Sequence, residues 1–269
     1  MSATGREAEV RRDSLLTMGA LAALFVLAWL WLLGGAGLGM SAIDMTRTLL
    51  FPHRVVATDM PGMAVAGFVA SLFMWWVMMV AMMLPASTPL ILLYGRTVRR
   101  GQRLGQLAAG PVPTVWMVAG YLAVWFGFSA LAAGLQSALS AVGLISGMML
   151  WSESRWLSAG LLALAALFQL SPHKRACLTA CRQPVAYLSR RWRPGRLGAL
   201  RMGLSHGAVC VGCCWGLMLL LFVGGAMNLL WIAALGGLVL VERLAPMGDR
   251  TLALTSALLL LWSGATLMV

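Results

Sequence analysis

A chain of 269 residues that is 61% hydrophobic and 10% charged, with a mean hydropathy of +0.86, departs far from the soluble norm of about 45–50% apolar and about 25% charged residues. This excludes an ordinary soluble domain and makes lipid the solvent; long continuous apolar runs then select helices over a closed barrel. The net charge of +12 would suggest nucleic acid in a soluble protein, but the basic residues lie in short loops between apolar runs and no nucleic-acid-binding motif accompanies them. They read as topology signals and lipid-headgroup contacts, with the bilayer as partner and no nucleic acid.

Residues 1–13 form a polar tail, and 15–33 a first span of about 20 residues, retained because no clean processing signal follows it. A loop over 40–63 contains His53 and the scattered thioethers Met40, Met45, Met60 and Met63. The second span, 64–94, holds Pro85 and Pro89 and is expected to kink or break there, because each proline removes a backbone donor. After the basic loop 95–110 comes a third span over 113–135. Residues 136–155, with Met148 and Met149, read as a loop or interfacial stretch. A short fourth span, 156–170, leads into the most basic segment, 171–202, read as a cytoplasmic loop with a short amphipathic piece. Spans over 203–223, 228–241 and 251–268 complete the chain.

The expectation is therefore an all-α, polytopic membrane helix bundle of about seven spans, forming a single integral membrane domain over 1–269. Lysines and arginines test it. Seventeen of the 20 fall in alternate segments: the N-terminal tail and the 95–110, 171–202 and 242–250 loops. The positive-inside rule places those segments, and the N-terminus, in the cytoplasm, and the membrane is read as a bacterial cytoplasmic (inner) membrane.

Chemistry concentrates in GLSHGAVCVGCCWG, residues 203–216. His206, Cys210 and Cys213 are spaced i, i+4, i+7 and share a helix face, with Cys214 at i+4 from Cys210. Gly203, Gly207, Gly212 and Gly216 give two small-xxx-small spacings that let other helices approach. The topology puts this stripe at the inner end of the fifth span. A second pair, Cys177 and Cys181, stands at i, i+4 in KRACLTAC, with His173 one turn before; His173 is not counted among the ligands. Both groups fall on the reducing side, where free thiols are available as ligands. In MWWVMMVAMMLPAS the methionines repeat at i+4, with Met78 and Met82 the candidate thioethers. Soft thiolate and thioether ligands select copper(I), and thiolate with imidazole also suits zinc; without a carboxylate cluster a hard cation is disfavoured. Glu242 is the one acid near this region and is a candidate supporting or proton-handling group.

MWWVMMVAMMLPAS, KRACLTACRQP and GLSHGAVCVGCCWGLMLLLFVGGAMNLLWIAALGGLVLVERLAPMG, taken in this order, resemble a bacterial family of multipass proteins described as predicted metal-binding integral membrane proteins. The resemblance implies metal binding at the cysteine and methionine motifs and no particular reaction. The expected function is binding of a soft transition metal, copper first and zinc second, for handling or transport. Cys210, Cys213, Cys214 and His206 would be the primary site, Cys177 and Cys181 a docking site at the cytoplasmic mouth, and Met78 and Met82 an intramembrane relay. A metal-delivery protein or partner subunit is the implied partner. A metal-dependent membrane oxidoreductase acting on an apolar substrate, or a structural, redox-sensing assembly subunit, are the alternatives.

Overall fold

The computed structural model describes residues 3–36, 64–108, 110–146, 150–244 and 248–268. His53 and Met40, Met45, Met60, Met63, Met148 and Met149 lie outside the described residues. The regular structure described is helical, apart from one antiparallel bridge between Ile145 and Ser152. In order the helices are α1 (Ala3–Leu33), α2 (Ala64–Arg103), α3 (Thr114–Ala141), α4 (Arg155–Leu170), α5 (Pro172–Arg182), α6 (Pro184–Arg191), α7 (Gly195–Leu219), α8 (Leu221–Gly224), α9 (Leu229–Leu244) and α10 (Gly248–Met268).

Five segments are long and apolar enough to cross a membrane: Arg12–Leu33, Gly67–Arg103, Thr114–Ala141, Gly195–Gly224 and Arg250–Met268. A sixth results if α4 and α5, which meet at a 64° bend, form one broken span. The expected seven thus become five or six by length. The two remaining spans, α4 and α9, have 16 residues each. At 1.5 Å per residue each covers only about 24 Å of a hydrocarbon layer about 30 Å thick. Large apolar side chains such as Leu131, Leu167, Leu258 and Leu261 face outward, as a lipid solvent requires.

Glycines decide how the helices meet. A Cβ on Gly203 would collide with the Met117 carbonyl oxygen, one on Gly120 with the Leu200 carbonyl oxygen, and one on Gly207 would stand 2.8 Å from the Val124 Cβ. α3 and α7 therefore touch backbone to backbone. Further along α7, a Cβ on Gly216 would meet the Phe168 ring of α4 at 2.7 Å, and one on Gly212 the Cys177 sulfur of α5 at 3.2 Å. The two small-xxx-small spacings thus serve different partners: the first takes α3, the second α4 and α5. α10 is tied to α4 by the hydroxyls of Ser256 and Ser263, which donate to the carbonyls of Ala166 (2.8 Å) and Ala159 (2.9 Å).

α2 runs uninterrupted through Pro85 and Pro89, so the break admitted by the sequence is absent. Hydroxyls supply hydrogen bonds in this stretch: Ser87 and Thr88 both donate to the Leu84 carbonyl, at 2.9 and 3.0 Å. α2 also continues to Arg103, making helix of most of the stretch expected as a loop.

Basic segments gather at one end of the bundle. A buried cluster of Leu90, Tyr94, Val98, Met117, Tyr187, Leu188, Ala199 and Met202 joins the later part of α2, the start of α3, α6 and the early part of α7. Arg99 of α2 pairs with Asp13 of α1 at the same end. Ser171 makes the turn from α4 into α5: its hydroxyl accepts from the Lys174 backbone N–H at 3.1 Å, and Pro172 occupies the first helical position. SPHK is thus a capping sequence that starts a new helix rather than extending the old one.

Candidate metal centre

α7 begins at Gly195, eight residues before its expected start, so its cysteines lie well inside the helix rather than at its end. Cys210 is about 22 Å from the N-terminal end of α7 at 1.5 Å per residue. His206, Cys210, Cys213 and Cys214 are all buried. The Sγ atoms of Cys213 and Cys214 are 3.2 Å apart, and Cys213 Sγ also lies 3.1 Å from the Cys210 carbonyl oxygen, to which its thiol donates.

The two cysteine groups foreseen in the sequence meet in space. Cys181, at the end of α5, places its sulfur 3.9 Å from that of Cys213. Cys177, one turn earlier, lies instead beside Gly212 and 3.7 Å from the His173 ring, on the more open face of α5. The presumed docking pair is therefore divided: one sulfur joins the cluster and the other stays at its approach. All five cysteines are free.

Three residues of the site were not among the ligands expected from the sequence; Lys174, expected with Arg175 and Arg182 to favour thiolate at the nearby cysteines, is instead paired with an acid. Arg243, near the end of α9, is buried, and its Nη2 lies 2.6 Å from Cys210 Sγ, 3.4 Å from Cys213 Sγ and 3.7 Å from Cys214 Sγ. Its Nε and Nη1 have no hydrogen-bond partner among the described residues. Tyr121 of α3 brings its hydroxyl to 3.2 Å from Cys210 Sγ and 3.0 Å from the Met83 carbonyl of α2. Lys174 of α5 forms a fully buried ion pair with Glu242, Nζ to Oε2 at 2.7 Å. An ionisable residue at the end of an apolar run was the available signal for Arg243; Tyr121 and Lys174 become visible only when α3, α5, α7 and α9 converge.

The Lys174–Glu242 pair defines the electrostatics. Glu242 Oε1 accepts from Gln169 Nε2 at 2.7 Å, Lys174 also donates to Gln169, and the Glu242 backbone carbonyl accepts from Arg182 Nε at 2.8 Å. Both carboxylate oxygens are thus engaged by α4 and α5. Glu242 clamps α9 onto them; its charge is committed to Lys174. The neighbouring Arg243 points into sulfur, and a buried cation requires compensating charge or dipoles.

His206 sits between two tyrosines, stacked on Tyr121 (ring centroids 5.6 Å apart, 25° between planes) and edge-on to Tyr187 (5.4 Å, 66°). Neither ring nitrogen has a hydrogen-bond partner among the described residues. Met78 and Met82 are buried in the core that also contains the α7 cysteines. The Met82 side chain lies against Gly236 of α9, two turns before Arg243, with its Cγ 3.5 Å from where a Cβ would stand. In this position both methionines fill space between α2 and its neighbours.

The donor spacing allows a fit test. A metal–thiolate bond of about 2.3 Å sets two sulfurs about 4.6 Å apart across a linear ion and about 4.0 Å apart around a trigonal one. Cys181 and Cys213, at 3.9 Å, match the second spacing without movement. Cys213 and Cys214, at 3.2 Å, are too close to share a trigonal ion as they stand. Accordingly, among the described residues no three His, Cys, Asp or Glu side chains are already set as a complete metal site. The arrangement sets soft sulfur donors beside a buried cation.

No curated protein and no solved structure matches the chain. A family model described as PpoB2, copper chaperone, matches residues 72–266, which contain every candidate site residue, and the protein therefore belongs to this copper chaperone family.

Proposed function

We propose that the protein is a membrane-embedded copper(I) chaperone that holds one ion between the thiolates of Cys181 and Cys213, with Cys210 and Cys214 as exchange ligands and Arg243 as counter-ion. The observation that carries this reading is the meeting of Cys181 with Cys213 at 3.9 Å beside a buried guanidinium. A copper(I) ion with two thiolates carries a net charge of −1, and a buried anion needs a cation close by. Glu242 is already paired with Lys174, so the Arg243 charge remains for the copper complex.

Copper(I) fits better than zinc. A structural zinc ion takes four ligands in a closed tetrahedron. Here Cys210, Cys213 and Cys214 all lie within 3.7 Å of the Arg243 guanidinium, and among the described residues no four donors are already set around one point. Low coordination also suits a chaperone: the 3.9 Å spacing is that of a trigonal ion, so two sulfurs leave the third corner for an exchange ligand during transfer. His206, one turn before Cys210 and with both nitrogens unpartnered, is the imidazole placed to assist that exchange. Met78 and Met82 would offer weaker thioether contacts on the α2 side.

The basic end of the bundle is read as facing the bacterial cytoplasm, so the cysteines of α5 meet copper from the reducing compartment, delivered by a soluble donor or a partner subunit.

The test is anaerobic copper(I) titration of the detergent-purified protein. Wild type is expected to hold one ion that competes with a chromophoric copper(I) chelator, and Cys181→Ser/Cys213→Ser to lose it. Retention of the full load by that double variant would overturn the proposal.

A further inference from the structure

α5 carries a donor pair apart from the buried sulfurs. His173 and Cys177 stand at i, i+4, with Nε2 and Sγ 3.7 Å apart; the histidine is exposed and the cysteine half-buried. Bonds of about 2.3 Å from sulfur and about 2.0 Å from nitrogen span that separation with an angle of about 120° at the metal. One ion therefore fits between them without any shift of the helix.

Their placement gives the pair a direction. A Cβ on Gly212 would lie 3.2 Å from Cys177 Sγ and 3.7 Å from His173 Nε2, so both donors rest against α7 at the residue next to Cys213. Absence of a side chain at 212 opens this approach. One turn further along α5 is Cys181, which already reaches Cys213. Donors thus follow one another from the exposed face inward: His173 and Cys177, then Cys181, then Cys213. Exposed Arg175, which stands between His173 and Cys177 in the α5 sequence, raises the local concentration of anions.

We propose that His173 and Cys177 form an entrance site that takes copper(I) from an anionic bis-thiolate donor and passes it to Cys181. This rests on the copper-holding reading of the buried cysteines. Copper stays in the +1 state throughout. One copper–sulfur bond to the donor breaks as one to Cys177 Sγ forms, and the thiol proton of Cys177 goes to that departing thiolate; His173 Nε2 displaces the second donor thiolate, which takes a proton from solvent. Cys181 Sγ then replaces Cys177 Sγ, its thiol proton passing to the Cys177 thiolate, and Cys213 Sγ replaces His173 Nε2 and releases its proton to solvent.

Copper(I)–glutathione supplied anaerobically to the full-length protein, with the rise of thiolate-to-copper absorbance followed by stopped flow, tests the step. A docked donor makes transfer unimolecular, so His173→Ala/Cys177→Ser is expected to load at least about tenfold more slowly. Its final load is set by the deeper sulfurs and reaches one ion. His173→Cys restores a two-ligand entrance and loads within about threefold of wild type, less than half of the tenfold step on a free-energy scale. In a Cys181→Ser/Cys213→Ser background, X-ray absorption of weakly loaded protein is expected to find one nitrogen and one sulfur, with the nitrogen lost on His173→Ala. Loading of His173→Ala/Cys177→Ser at the wild-type rate would overturn the entrance site while leaving the holding site intact. A wild-type protein that takes up no copper, or a full load retained by Cys181→Ser/Cys213→Ser, would instead overturn the holding site.

Discussion

Replacing Arg243 by methionine removes a charge while keeping a long side chain in the same space. In the structure the guanidinium lies 3.4 Å from Cys213 Sγ, one of the two sulfurs assigned to copper. At an effective dielectric of about 20, unit charges at that separation interact by about 5 kcal/mol. Part of this is recovered, because the apo variant no longer buries an arginine whose Nε and Nη1 lack partners. Removing one member of a buried charge pair generally costs about 3–5 kcal/mol. We therefore expect copper(I) binding to weaken by about 2–4 kcal/mol, which is about 30- to 700-fold in Kd. Arg243→Lys keeps the charge but loses the planar fork, and should fall between wild type and Arg243→Met. Competition with a chromophoric copper(I) chelator measures all three proteins under one condition. Arg243→Met binding copper as tightly as wild type would refute the counter-ion role.

The remaining predictions concern the frame around the site. Lys174→Met leaves Glu242 buried without its partner and should destabilise the protein by about 3–5 kcal/mol, whereas Lys174→Met/Glu242→Leu should recover most of that loss; thermal unfolding in detergent reads both. Gly203→Ala forces a Cβ against the Met117 carbonyl and should cost about 1–3 kcal/mol by separating α3 from α7. Gly134→Ala, where a Cβ meets nothing within 4 Å, should be neutral or stabilise by up to about 1 kcal/mol. Met78→Leu/Met82→Leu conserves volume in the core and should leave copper affinity unchanged while slowing release to a soluble thiol; accelerated or unaltered release would remove the thioethers from the account.

The helical, lipid-solvated character was legible because composition and long apolar runs act over the whole chain. That His206, Cys210 and Cys213 share one helix was legible because i, i+4, i+7 spacing is a property of one helix. What failed depended on relations between helices or on how a turn is closed. The start of α7 lay eight residues earlier because 195–202, apart from Gly195 and Gly198, is made of good helix formers, although its basic residues suggested a loop. Pro85 and Pro89 did not interrupt α2, in a stretch where nearby hydroxyls bind carbonyls. Cys177 and Cys181 looked equivalent in sequence, yet one helical turn separates a sulfur at the approach from one in the cluster. Arg243 resembled an ordinary basic residue ending a span. The role proposed for it rests on the pairing of Lys174 with Glu242, a contact across 68 residues that no local pattern encodes.

X-ray absorption at the copper edge of the singly loaded protein tests the central claim most directly. The account predicts copper(I) bound by two or three sulfurs at about 2.3 Å, with that shell falling to no more than one sulfur in Cys181→Ser/Cys213→Ser. A first shell of oxygen and nitrogen, or an unchanged sulfur shell in that double variant, would contradict it.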